Sequence, residues 1–353
     1  MEMIEYLFTG FIIIAILVGS STMVTMLSEP HRVTYEKEQL KVIAQKIMTQ
    51  LILDPGIPLD WGSQIELEVE EITALGLAKH SETRRDAYNL DPDKVLRLDS
   101  SIKPKRLYIP PSRALELLNL KGEYGFKIEL QPVMNITIHK NETSNKYEIN
   151  VSTISGTPIA GANVTARMYY FKEEEGFAFA DPKDGPQKTN VYGKCEFDFN
   201  VSSPRSVILL AVEQNGSRMV KMFKAGDQVG RARILGNCTL TEKALGGEAM
   251  EILLEAGDNQ LDIINVYHNL TLKKVEEDIY IYELGFLEPS LEAVLAISED
   301  SSTLYYASNE MTLPQYSTVE GGGPTSFSYS LERSVRIGRS IYILRLYVWR
   351  MVW

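Results

Sequence analysis

The chain has 353 residues, 44% of them hydrophobic and 24% charged, and carries a net charge of −11. This is the composition of a folded protein, and its acidity speaks against nucleic acid and anionic lipid surfaces as partners. At about 100–200 residues per domain, the part beyond an N-terminal helix has room for two domains.

The opening stretch is uncharged from Tyr6 to Leu27, with Glu2 and Glu5 before it and no Lys or Arg. About 20 apolar helical residues cross a hydrocarbon layer of ~30 Å. The basic segment and small-residue cleavage site of an export signal are missing. Residues 6–27 are therefore expected to hold the chain in a membrane as a single transmembrane helix. Arg32, Lys37 and Lys41 follow it, but positive charge orients a long translocated region only weakly.

Beyond Pro30, apolar residues recur at Leu40, Ile43, Ala44, Ile47 and Leu51, the stripe of an amphipathic helix. Asp54-Pro55-Gly56 ends it. Together the two stretches predict one helix of about 50 residues, on the order of 70 Å long at 1.5 Å per residue, with Pro30 able to kink it.

An uncharged N-terminal helix with Glu5, running on as an amphipathic half beneath a β-rich head, resembles the type IV pilin-like proteins. The stretches LILDPGIPLDWG, LGLA (Leu75–Ala78) and YNLDPDKVLRL are similar to those of the archaeal branch, so the resemblance covers about the first 130 residues. It implies that N-terminal helices bundle into a filament core. It also implies that Glu5 pairs with the amine of Met1 in another copy, since a lone carboxylate beside hydrocarbon needs a partner. The alternative for Glu5 is a solvated charge. Pilin precursors begin with a short basic leader, which is not visible here; the expectation is a processed chain or an uncleaved relative that anchors without polymerising.

Residues 1–57 form the helical segment and 58–143 an α+β head in this reading. Within the head, QIELEVEEI reads as a short strand. Asp91-Pro92 and Pro111 open two helices, and Leu115, Leu118 and Leu120 pack one face of the second, with Gly122 closing it. EYGFKIELQPVMNITIH reads as a long strand. Residues 144–227 change to short strands. KYEINVST and ANVTARMYYF form a hairpin across the Ser155–Pro158 turn, Cys195, Phe197 and Phe199 share a strand face, and Asn215-Gly216 makes a second hairpin. The segments GTPIAGANVTA and TNVYGKCEFDF resemble immunoglobulin-like modules related to carboxypeptidase regulatory domains, which implies a β-sandwich spacer. Residues 228–353 continue as β-structure. They end in a hairpin about Ile337–Ser340 whose aromatic last strand belongs inside a sheet, and which either stands alone or pairs with the 63–138 region. The expected class is α+β, mainly β.

Eight of the 15 asparagines head Asn-x-Ser/Thr sequons: Asn135, Asn141, Asn150, Asn163, Asn200, Asn215, Asn237 and Asn269. Chance would give about two, so N-glycosylation on an extracellular bulk is expected. The two cysteines, Cys195 and Cys238, stand either as a disulfide or as two buried thiols.

Catalytic signatures are missing. His31, His80, His139 and His268 lack a second ligand at metal spacing, and no nucleophile elbow, phosphate loop or dinucleotide fingerprint occurs. Gly321–Gly323 reads as a linker. The acidic run Lys172–Gly185 offers Glu173, Glu174, Asp181 and Asp184 without the regular spacing of a calcium loop, and reads as a solvated charged turn. No enzyme, cofactor or metal is expected. The expected role is a structural or adhesive surface protein, single-pass in the cell membrane or in a surface filament. It would associate with itself or with other pilin-like subunits, and its length points to a minor or tip subunit. The alternative is a monomeric anchored receptor for a surface glycan or protein ligand, with an anchored hydrolase third.

Overall fold

The computed structural model describes residues 2–80, 88–120, 122–141, 146–256, 261–285, 291–308, 310–311, 313–318 and 328–351; side chains of residues 2–9, 21–34, 255–256, 261–262 and 314 are not described. Met1 and the Gly321–Gly323 stretch lie outside these residues, and Glu5 is placed by its backbone alone.

Helix α1 (Glu2–Leu53) is followed by β1 (Asn89–Leu90), α2 (Pro92–Leu96) and α3 (Pro111–Leu117). Strands then follow one another: β2 (Tyr124–Pro132), β3 (Met134–Asn141), β4 (Lys146–Thr153), β5 (Asn163–Lys172), β6 (Gly176–Ala180), β7 (Gln187–Lys188) and β8 (Lys194–Asp198). The middle of the chain supplies β9 (Ser206–Gln214), β10 (Ser217–Lys224), β11 (Val229–Arg231), β12 (Arg233–Leu235) and β13 (Cys238–Thr241). Next come β14 (Leu245–Ala256), β15 (Leu261–Asn269), β16 (Thr271–Glu276), β17 (Ile279–Glu283), β18 (Leu291–Ser298) and β19 (Leu304–Ser308). The last three are β20 (Leu313–Ser317), β21 (Ser328–Ile337) and β22 (Ser340–Arg350).

The class is mainly β, with several sheets, and one part of the expected architecture is corrected: among the described residues no helix is long and apolar enough to cross a membrane. Of the two arrangements the sequence leaves open for the last hairpin, the structure has the one in which it pairs with the 63–138 region, through β2 and β22. Helices α2 and α3 have five and seven residues and lie against sheets built largely from the C-terminal part of the chain.

The amphipathic half of α1 buries Leu40, Ala44, Ile47, Met48, Leu51 and Ile52 in one apolar core with Phe126, Ile128, Val335, Leu344 and Leu346. Its C-terminus is closed by an extended segment, where Leu77 N donates to Leu51 O and Ala78 N to Asp54 O. A side chain on Gly76 would meet Asp54 O at 2.1 Å, so only glycine lets the two backbones approach this closely.

QIELEVEEI makes no strand; Val69–Glu71 is a single 3-10 turn. Ile65, Val69 and Ile72 are buried in turn, which explains the strand-like pattern, but side-chain cations rather than a neighbouring strand take up the backbone carbonyls. At the end of α3, Asn119 takes the left-handed conformation (φ 57°) and donates to Glu116 O, while Gly122 lies further on.

β22 lies inside a ten-stranded sheet, paired with β21 from Ser340 to Trp349 on one edge. On its other edge it pairs with β2 from Tyr342 to Arg350 and touches β10 at Ser340. The sheet runs on through β10, β9 and β5 to β6. β3, β4 and β8 form a three-stranded sheet facing β5, β9 and β10 across a core of Ile149, Val164, Phe197 and Leu210. β4 and β5 are thus in opposite sheets rather than a hairpin. The Ser155–Gly156 turn is present, and Thr153 N donates to Thr157 O, but the chain then crosses the core. β9 explains the third layer. Ile208, Leu210 and Val212 face the first core, while Val207, Leu209 and Ala211 face Met250, Ile252 and Leu295 of the sheet β11-β19-β18-β14-β15. A strand apolar on both faces needs cover on both. A four-stranded sheet, β12-β13-β17-β16, sits against the helical head.

Candidate assembly and glycan-bearing surfaces

Between Phe11 and Val18, α1 exposes Phe11, Ile12, Ile13, Ile14, Ile16, Leu17 and Val18, from 51% at Ile12 to 78% at Phe11. Consecutive positions on a helix point about 100° apart, so apolar side chains face outward all round the rod. Further along, one face is sealed into the head while Tyr35, Val42 and Leu53 stay exposed on the other. An exposed apolar patch of this kind is the sort of surface that proteins or lipid cover.

The base of the rod is locked by buried cations. The Lys94 side chain is wholly buried, and its Nζ donates to Pro55 O (2.8 Å), Leu59 O (2.7 Å) and Ala78 O (2.9 Å). Arg97 donates to Leu107 O (2.9 Å), Trp61 O (2.6 Å) and Leu67 O (3.0 Å). Arg106 reaches Ile65 O, and Arg113 reaches Glu70 O and Ile72 O. Burial lowers the Lys94 ammonium below its ordinary value and brings Arg97 down to about 10. Beside them, burial and then the charge of Asp91 push the Asp93 carboxyl up to about 7. Burial also raises Asp91.

Seven sequon asparagines (Asn135, Asn141, Asn163, Asn200, Asn215, Asn237 and Asn269) are exposed, and Asn150 is half-buried. Asn135 pairs with Ser152 and Asn150 with Thr137 in the β3–β4 ladder, so both stand on the outer face of the three-stranded sheet. Asn215 is at the tip of the β9–β10 hairpin. No family model matches the chain, and no curated protein matches its sequence.

Cys195 and Cys238 are free thiols in different cores, the first in the sandwich and the second in the head. Burial pushes them up to about 12 and about 11, respectively. In the acidic turn, Asp181 pairs with Arg167, Glu173 with Arg205 and Glu175 with Lys172. Among the described residues no cluster of His, Cys, Asp and Glu could hold a metal. His268 is not isolated, as its spacing suggested: Nε2 lies 2.7 Å from Glu251 Oε2, a buried carboxylate on the neighbouring strand.

Sequence reasoning missed one cleft. Ser101, Lys103, Arg231, Arg233, Thr241 and Glu242 line a cavity of about 300 Å³ over Leu240 and Ile279. The Arg-x-Arg at 231–233 is its only local signal, and it is ordinary for an edge strand.

Proposed function

We propose that this chain is a structural, adhesive protein of the cell surface, a pilin-like subunit that associates with further copies through α1 and presents glycan-bearing sheets outward. The observation that carries this reading is the apolar girdle from Phe11 to Val18 on a rod whose far half is built into the head. Covering such side chains is worth about 1.5–3 kcal/mol each when burial is complete, so the girdle favours association strongly. Exposure on every side suits several neighbouring helices rather than one groove. The sequons support an extracellular setting, because all eight asparagines reach the surface and a glycan can leave each without entering a core.

The reading is tested on the full chain expressed in a glycosylating host, by electron microscopy and sedimentation, with Ile13→Glu and Leu17→Glu. Both residues are exposed, so the head should keep its melting temperature while assemblies are lost. Assemblies unchanged in both variants would overturn it, as would asparagines carrying no glycan in the native protein.

A further inference from the structure

The cleft at the junction of three segments has a use that the assembly reading does not supply. Lys103 comes from the loop before α3, Arg231 ends β11, Arg233 opens β12, Thr241 ends β13 and Glu242 follows it. Nothing in it belongs to α1. In a chain of net charge −11, three cations meeting in one cavity of about 300 Å³ is a marked local inversion of sign.

The charges do not cancel. Arg233 Nη1 is 3.1 Å from Asp99 Oδ2, and its Nη2 donates to Ser101 Oγ at 2.6 Å. Lys103 Nζ is 3.5 Å from Glu242 Oε1. Arg231 is exposed and makes no ion pair among the described residues. Three cations against two carboxylates leave a surplus of one positive charge, which suits a singly charged anion better than a phosphate dianion. The hydroxyls are already used, since Ser101 Oγ donates to Asp99 and Thr241 Oγ1 to Lys243 O. The free donors are therefore guanidinium and ammonium groups, and a guanidinium fork matches a carboxylate in two hydrogen bonds. The floor is apolar, with Leu240 and Ile279 nearly sealed from water. A cavity with an apolar floor and a few convergent donors binds small organic molecules.

We propose that this cleft binds the carboxylate of a small organic acid, with Arg231 as its principal donor and Leu240 and Ile279 under its carbon skeleton. Two sources share this chemistry, a uronic acid sugar and a free amino acid or similar metabolite. The test is calorimetric titration of the full chain with galacturonate, with glutamate, and with neutral galactose as control. Saturable binding of galacturonate or glutamate, absent with galactose, is expected, and the stronger of the two names the source. Arg231→Gln should weaken that binding roughly tenfold or more, the loss of one charge-assisted contact, with thermal unfolding unchanged. The proposal is overturned if neither carboxylate binds saturably, if galactose binds as well, or if Arg231→Gln leaves the affinity as it was.

Discussion

Gly125 on β2 and Trp349 on β22 are register partners, and the indole lies directly over the glycine. A methyl group on Gly125 would meet Trp349 Nε1 at 2.4 Å and Cε2 at 2.5 Å. The glycine, weak in a strand by itself, is filled by its cross-strand neighbour. This contact joins the head to the last strand of the chain. Gly125→Ala is expected to cost about 1–3 kcal/mol by overpacking. The double variant with Trp349→Leu should cost less than the sum of the two single changes by at least about 1 kcal/mol. Urea unfolding of the four proteins measures this, and additive costs would show that the ring does not rest on Gly125.

Lys94 holds three backbone carbonyls that have no strand partner. Lys94→Met keeps much of the volume and removes a buried charge, which by itself would help. It also leaves Leu59 O and Ala78 O without their donor, while Pro55 O keeps the Trp61 Nε1–H at 3.1 Å. An unsatisfied buried acceptor costs about 1–3 kcal/mol, so two outweigh the gain and a net loss of about 1–3 kcal/mol is expected. Denaturant unfolding gives the size. Faster amide exchange at Leu77 and Ala78, which close α1, gives the place. Wild-type stability in Lys94→Met would mean that these carbonyls are satisfied by water.

What the sequence discloses follows the range of the interaction. The stripe from Leu40 to Leu51, the Asp91-Pro92 helix start and the turns at Asn215-Gly216 and Ile337–Ser340 depend on neighbours in the chain, and the structure has them where the pattern puts them. Gln64–Ile72 shows the opposite case. Alternating burial looks like a strand, yet the partners are Arg97, Arg106 and Arg113, roughly 30–40 residues away, and no local pattern announces them. β9 was readable as an apolar strand, but that both faces are covered depends on β14 and β18. The cleft joins Lys103 to Arg231 across 128 positions, so only the folded chain reveals it.

The thiols give a third prediction. Cys195 and Cys238 lie in separate cores, each raised by burial to a value at which thiolate at pH 8 is scarce. Neither should react with a thiol reagent in the native protein, and both should react after unfolding without reductant. Native chains with fewer than two titratable thiols after unfolding would show a disulfide and refute the placement.

Asp93 supplies a pH dependence whose sign is fixed by its surroundings. Its carboxyl is pushed up to about 7 from an ordinary 3.8, first by burial and then by Asp91, while a backbone N–H of Gly236 pulls the other way. Between these values the folded chain holds a proton that the unfolded chain has released. Its contribution to stability is therefore complete below pH 4, declines as pH rises, and levels off above pH 7. The slope from one such group is at most about 1.4 kcal/mol per pH unit. Asn at this position can still accept from Gly236 and cannot ionise. Asp93→Asn should thus remove part of the decline between pH 4 and 7, leaving the variant relatively more stable at pH 8 than at pH 4 when each is compared with wild type. Melting temperatures of both proteins across pH 4–8 decide it, because burial of an ionised Asp93 without penalty would make the two profiles parallel.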